Sequence, residues 1–145
     1  MSRPLILALA LTCALSSTPS VSQPGGGGAT VRVRFEGLRP EGAVSVALFP
    51  HETAWRSRDG ARSLIQPVQG GHAEATFIGL APGRYRVMAY HDRNGDGRLN
   101  TLPVGLPTEP YGFSNNARGT FGPPGWRATS FAAAEGETVH AIRLR

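Results

Sequence analysis

Apolar and polar residues alternate in several short segments of the chain. Between Thr30 and Glu36 the apolar positions are Val31, Val33 and Phe35, and each is followed by a charged residue. A period of two places one side of a strand against a core and the other side in solvent. The same reasoning predicts further strands at 43–49, 72–78, 84–90, 129–134 and 138–144.

Two segments fit this pattern less well. Residues 63–68 predict an edge strand, because Pro67 lacks the N–H that a central strand needs. Residues 52–62 have room for one short helical turn, and no other segment has a helical period. Turns containing Gly and Pro separate the strands. We therefore predict an all-β fold, an antiparallel β-sandwich of about seven short strands (transthyretin-like or immunoglobulin-like) with one long ordered loop.

The N-terminal segment has the order of a secretory signal peptide. Arg3 precedes an apolar run at 4–15 and a small, polar stretch at 16–23. The apolar run is shorter than the roughly 20 residues of a membrane span. We expect a signal peptide at 1–22, a flexible Gly-rich tether at 23–29 and a single β-sandwich domain at 30–145.

This organisation predicts a periplasmic or extracellular protein without a transmembrane span. Cys13 leaves lipid attachment as the less favoured alternative, because Thr12 is a poor residue before a lipoprotein cysteine. The chain has no other cysteine, which excludes an internal disulfide and a cysteine-based zinc site. Its net charge of +5 comes entirely from arginine as the basic residue. Together with the predicted signal peptide, this composition predicts no nucleic-acid partner.

The first half of a calcium-binding loop follows Tyr90. Oxygen-bearing residues alternate, a glycine takes the sixth position, and a distant carboxylate becomes available if the chain folds back. The predicted ligands of Ca²⁺ are Asp92, Asn94, Asp96, Arg98 through its carbonyl, Asn100 and Glu109. Position twelve is Pro103 instead of glutamate, so the loop is not an EF-hand and its affinity should be weak, about 0.1–1 mM. The dipeptides Asn94-Gly95 and Asp96-Gly97 also favour a plain hairpin turn without an ion, and both interpretations stay open.

A long stretch without strand or helix pattern follows, and such stretches in compact domains are often functional. One interpretation is an ordered flap whose aromatic side chains cap one end of the sandwich. The other is a recognition surface for an envelope polysaccharide or a protein partner. The predicted partner surface consists of Tyr111, Phe113, Asn115, Asn116, Arg118, Phe121 and Trp126.

Several segments of the chain closely resemble the motifs of an exported bacterial family catalogued as domain of unknown function 2141. The segments that carry the resemblance are Leu80-x-Pro82-Gly83-x-Tyr85, His91-Asp92-x-Asn94-Gly-Asp96-Gly-x-Leu99, Gly105-x-Pro107-x-Glu109-x-Tyr111-Gly-Phe113-Ser-Asn115-Asn116 and Phe121-Gly-Pro123-Pro124. The resemblance implies a secreted β-sandwich similar to transthyretin-like and carboxypeptidase-regulatory-like modules, with no established activity. The family commonly has Asp where this chain has Asn100, which removes one carboxylate from the calcium-type loop.

The sequence leaves two other functions open, hydrolysis and polyanion binding. Some transthyretin-like proteins hydrolyse purine-derived rings with a Tyr-Arg-Gly-Ser C-terminus, whereas this sequence ends in residues 141–145 without that motif. The adjacent pair His91 and Asp92 would point to opposite faces of a strand, which disfavours a catalytic dyad.

A basic stripe is the second alternative. Arg32/Arg34 and Arg84/Arg86 fall on predicted outward faces, and adjacent strands would align them for polyanion or envelope-surface binding. The preferred prediction is an exported, non-enzymatic β-sandwich module of binding or structural role, with a weak calcium-type loop.

Overall fold

The computed structural model describes residues 27–145. The predicted signal peptide, Cys13 and most of the tether therefore lie outside the described residues. The strands are β1 (Ala29–Glu36), β2 (Ala43–Phe49), β3 (Arg62–Pro67), β4 (Ala73–Leu80), β5 (Gly83–Asp92), β6 (Tyr111–Phe113), β7 (Phe131–Ala133) and β8 (Gly136–Arg143). Two short helices, α1 (Glu52–Ser57) and α2 (Trp126–Thr129), and a 3₁₀ turn at Ser114–Asn116 complete the elements. None of the helices within 27–145 is long and apolar enough to cross a membrane.

The strands form two sheets. Sheet A has the order β4-β1-β8 and sheet B the order β3-β2-β5-β6, with β7 pairing β5 beside β6. β3 pairs only with β2 and is an edge strand, as Pro67 predicted. Among the strands of the described residues, all pairs are antiparallel except β1 and β8, which run parallel.

The core lies between the inner faces of the two sheets. The alternation seen in the sequence is also seen in the burial, because Val31, Val33 and Phe35 of β1 are buried while Arg34 and Glu36 are exposed. β2 and β5 contribute their own alternate positions to the same core. An all-β sandwich is therefore confirmed, and the hydrophobic effect on alternate side chains explains it.

Two features of the architecture differ from the prediction. Residues 27–145 contain eight strands, because β6 falls in the stretch in which the sequence predicts neither strand nor helix. With three residues and a central Gly112, β6 is too short to give a signal of period two. The parallel pairing of β1 with β8 is likewise invisible in either strand, since it depends on how the last strand returns to the first.

The predicted basic stripe is wrong. Arg32 and Arg34 lie in sheet A, where both pair with Glu74 at 3.0–3.1 Å, and Arg32 also pairs with Glu137 at 2.9 Å. The other two arginines belong to β5 in sheet B, so the pairs are not neighbours. Arg86 is fully buried, because α1 covers the outer face of β5 at this position.

Candidate functional site

The turn that follows β5 is organised by the carboxylate of Asp92. This side chain is buried, and its two oxygens accept the N–H groups of Gly95 at 2.7 Å and Gly97 at 2.8 Å. Both glycines have positive φ, which suits the tight reversals that the dipeptides predicted. One acid therefore holds both turns of the calcium-type loop.

Glu109 folds back onto this loop from the far end of the β5–β6 connection. Its carboxylate accepts the N–H of Arg93 at 3.0 Å and the N–H of Asn100 at 3.1 Å. The sequence made the contribution of Glu109 conditional on the chain folding back, and the structure shows this fold-back. Glu109 and Asp92 are both buried, and neither takes part in an ion pair within residues 27–145.

The exposed side of the loop is a ring of amide and carboxylate groups. The Asp96 carboxylate accepts from the side-chain amide of Asn100 at 2.8 Å and from that of Asn94 at 3.1 Å. These hydrogen bonds, chiefly that of Asn100, lower the pKa of Asp96 below its ordinary value because they stabilise the charged form.

The predicted metal ligands therefore lie in one loop but bind its own N–H groups. Arg98 takes part through its backbone N–H, which donates to Asp96 at 2.9 Å. Within the described part of the chain, no group of three or more His, Cys, Asp and Glu side chains is arranged to hold a metal ion. In this conformation the loop is satisfied as a turn, and an ion would have to use the remaining lone pairs of its oxygens.

A second feature lies beside β6, where the residues that follow β8 pass from sheet A to sheet B. Tyr111 and Arg145 exchange two backbone hydrogen bonds of 3.2 and 3.1 Å. Gly112 permits this approach, since a Cβ at that position would lie 2.8 Å from the carbonyl oxygen of Arg143. The crossing forms a cleft of about 440 Å³, and the side chains that line it include Tyr111, Phe113, Asn116, Arg118, Arg143 and Arg145. We call it the arginine cleft.

Three guanidinium groups lie around the arginine cleft. Arg143 pairs with Glu36 at 3.2 Å, with its side chain more than half exposed. Arg118 and Arg145 are exposed and make no ion pair with any residue of the described range. Since the acidic partners are fewer than the arginines, the cleft carries unbalanced positive charge.

Two asparagines hold the wall of the cleft in place. Asn115 and Asn116 both have left-handed backbone conformations, with φ of 61° and 50°. The Asn116 side chain donates to the carbonyl of Ala141 at 3.2 Å and accepts the N–H of Arg143 at 2.9 Å. Asn115 donates to two carbonyls of the segment around α2, both at 3.1 Å. These amides thus attach the 3₁₀ turn to its neighbours.

The predicted partner surface is only partly one surface. Tyr111, Phe113, Asn116 and Arg118 line the arginine cleft, whereas Asn115, Phe121 and Trp126 do not. Phe121 is fully exposed, so it caps nothing. Sequence reasoning missed Arg143 and Arg145, although their alternate positions, at the end of the last predicted strand and one residue beyond it, indicate a common outward face.

Arg86 contacts the ring of Phe113, one of the residues that line the cleft. Its guanidinium carbon lies 4.9 Å from the centre of the Phe113 ring and 3.5 Å from that of Trp55. Burial, with a smaller contribution from the charge of Arg58, lowers the pKa of Arg86 to about 10. The group thus keeps its charge at neutral pH, between two aromatic rings.

Comparison with known proteins gives the family of the chain. No curated protein and no solved structure matches it. The family described as "uncharacterized protein conserved in bacteria (DUF2141)" matches residues 33–141, a range that contains the calcium-type loop and most of the arginine cleft. The chain therefore belongs to this uncharacterised bacterial family, DUF2141.

Proposed function

We propose that the protein is an exported, non-enzymatic binding module whose arginine cleft binds an anionic component of the bacterial envelope. The observation that supports this function is the grouping of Arg118, Arg143 and Arg145 around one cleft with Tyr111 on its wall. Guanidinium groups bind carboxylates and phosphates through paired, charge-assisted hydrogen bonds. Because Arg143 is the one of these three arginines that has an acidic partner in the described chain, the other two are available to a ligand.

The surroundings of the two residues that most resemble a catalytic pair support a non-enzymatic role. His91 is fully buried, and its Nε2 lies 2.7 Å from the carbonyl oxygen of Glu41. Since a carbonyl only accepts, Nε2 carries the proton. Asp92 binds glycine N–H groups instead of the imidazole. The two side chains therefore serve the turn and the strand end.

The cleft is tested by retention on immobilised polygalacturonate and immobilised polyphosphate, with neutral dextran as the reference matrix. The variant Arg118→Gln/Arg145→Gln removes the two free charges, and we expect at least roughly tenfold weaker binding to both anions. Arg34→Gln is the control outside the cleft, because it removes an exposed arginine of sheet A that pairs with Glu74. Equal binding of the wild type and the double variant, or equal retention on dextran, would overturn the proposal. A loss with Arg34→Gln alone would point to sheet A instead.

We also propose that Ca²⁺ binds the loop Asp92–Asn100 weakly and makes it more rigid. This second proposal is supported by the two buried carboxylates of Asp92 and Glu109, which have no ionic partner within the described residues. Carboxylate and amide oxygens are the ligands that Ca²⁺ takes in proteins.

Thermal unfolding in several millimolar CaCl₂, compared with chelator and with MgCl₂, tests the ion. With a dissociation constant of about 0.1–1 mM, binding to the folded state should raise the melting temperature by several degrees. Asp96→Asn should reduce that rise, whereas Glu41→Gln, an exposed acid outside the loop, should keep it. Identical melting curves in calcium and chelator would exclude the ion and leave the arginine cleft untouched.

A further inference from the structure

The outer face of sheet B carries a row of side chains that ends at the arginine cleft. The strand registers place Ile65, Ser45, Tyr90 and Tyr111 directly opposite one another on four neighbouring strands. Strands in a sheet lie about 4.8 Å apart, so the row spans about 14 Å perpendicular to the strands. Tyr111 is at once the last member of the row and a wall of the cleft.

Small side chains make this face a shallow trough. Ser45, Ala47 and Ser63 lie beside Ile65, Met88 and Tyr90 around a depression of about 270 Å³. Gly97 of the calcium-type loop lies at one side of it. On the other side the face is covered, because Trp55 of α1 packs against Phe49 and Phe113. The trough is therefore open in the direction of the row, perpendicular to the strands. In the direction of the strands it is bounded by the calcium-type loop on one side and by Trp55 on the other.

The chemistry of the trough is that of a surface for sugar rings. No charged side chain belongs to the row, and Tyr90 and Tyr111 present half-buried rings. Within residues 27–145 the hydroxyls of Ser45, Ser63, Tyr90 and Tyr111 make no hydrogen bond to another protein group, whereas Tyr85, whose side chain is buried, bonds a carbonyl at 2.6 Å. A rigid aromatic ring with a polar tip, next to free hydroxyls, suits a ligand that is apolar on one face and rich in hydroxyls at its edge.

We infer that the anionic ligand is an acidic polysaccharide that lies across sheet B. Its carboxylates bind in the arginine cleft, and its chain continues over Tyr111 and Tyr90 toward Ile65. Charge complementarity holds the end at the cleft, and the uncharged trough offers no repulsion to the following sugar units. This inference rests on the proposed function of the cleft and adds to it the ligand class and the path.

A length series of galacturonate oligomers separates the polysaccharide path from the cleft proposal. Affinity should rise with oligomer length until the chain spans the row, because each further ring gains a contact. Tyr90→Ala should weaken the long oligomers about tenfold and leave the dimer unchanged. Ser45→Trp, which fills the trough, should do the same. Arg118→Gln/Arg145→Gln should weaken every length.

The controls keep the outcomes distinct. Ile78→Ala removes an exposed apolar side chain from β4 in sheet A, away from the row, and should change nothing. Binding of polyphosphate, which has no sugar rings, should not respond to Tyr90→Ala. Affinity that is independent of length, or equal effects of Tyr90→Ala on polyphosphate and on long oligomers, would overturn the polysaccharide path while the cleft proposal stands. No binding of any anion would reject both. Melting curves of Tyr90→Ala and Ser45→Trp check that these variants are folded.

Discussion

The guanidinium carbon of Arg86 lies 3.5 Å from the centre of the Trp55 ring, and none of the three guanidinium nitrogens has a hydrogen-bond partner in the described chain. A buried cation is usually paired, because taking it out of water is costly. Here the faces of Trp55 and Phe113 replace the acid. Around Arg86 the outer face of sheet B is thus covered by two aromatic rings that pack on a charge.

This arrangement predicts opposite effects for its two members. Arg86→Met should raise the free energy of unfolding by about 1 kcal/mol, since it removes unsatisfied donors and keeps the volume. Trp55→Ala should lower it by about 2 kcal/mol, because it uncovers the cation and leaves a gap. Urea unfolding of both variants and of the double variant measures the coupling. A clear loss of stability in Arg86→Met would contradict this account.

Asn116 attaches the 3₁₀ turn to the edge of β8 through two hydrogen bonds. Asn116→Ala should lower the free energy of unfolding by about 1–2 kcal/mol, as both bonds are lost and φ stays positive. Asn116→Gly tolerates the backbone conformation, so it should lose less. Hydrogen exchange at the Arg143 N–H should accelerate in both variants. Unchanged exchange there would mean that this hydrogen bond does not form in solution.

Glu109 joins the two ends of the calcium-type loop by accepting from Arg93 and Asn100. Glu109→Gln has one acceptor oxygen instead of two, so it should lower the free energy of unfolding by about 1 kcal/mol. The measurement is urea unfolding in the presence of chelator, which removes any contribution of calcium. Glu41→Gln, at an exposed acid, serves as the control and should be neutral.

His140 should make stability depend on pH. Burial lowers its pKa below the ordinary value, and its ring packs on that of Phe131 with centres 3.9 Å apart. As pH falls through the ordinary value of about 6.5, the unfolded chain binds a proton that the folded protein does not, so the free energy of unfolding decreases. The stability given by the neutral ring is fully present above that pH.

Melting temperatures at about pH 7.5 and about pH 5.5 test this dependence. His140→Gln should show a smaller difference between the two conditions than the wild type. His72→Gln, at an exposed histidine, should keep the difference. If His140→Gln keeps it as well, another group carries the dependence.

The sequence predicted the parts of the fold that depend on alternation. Val31, Val33 and Phe35 point inward because period two and the hydrophobic effect leave no other choice. The same alternation correctly predicts that Arg86 points away from the core, but it does not predict which residues cover the outer face. The cover comes from Trp55, which lies 31 positions earlier along the chain.

The candidate site shows the same limit. Local turn chemistry predicted that Asp92 precedes two glycine turns. The calcium-loop pattern named Glu109 as a carboxylate that reaches the loop if the chain folds back, but it did not predict the fold-back itself. The arginine cleft was predicted only in part. Arg118 and Arg145 come together because the segment after β8 pairs with Tyr111 of β6, and that pairing depends on the whole fold.

The position of β1 between β4 and β8 also decides the order in which the chain can fold. The parallel register joins Glu36 to Arg143, 107 positions apart, so sheet A cannot close until the segment 136–143 is available. Such distant pairing loses loop entropy before the stabilising contacts between the strands form. It therefore predicts folding in milliseconds to seconds. Until then β1 has one unpaired edge, at which association with another chain competes with the arrival of β8.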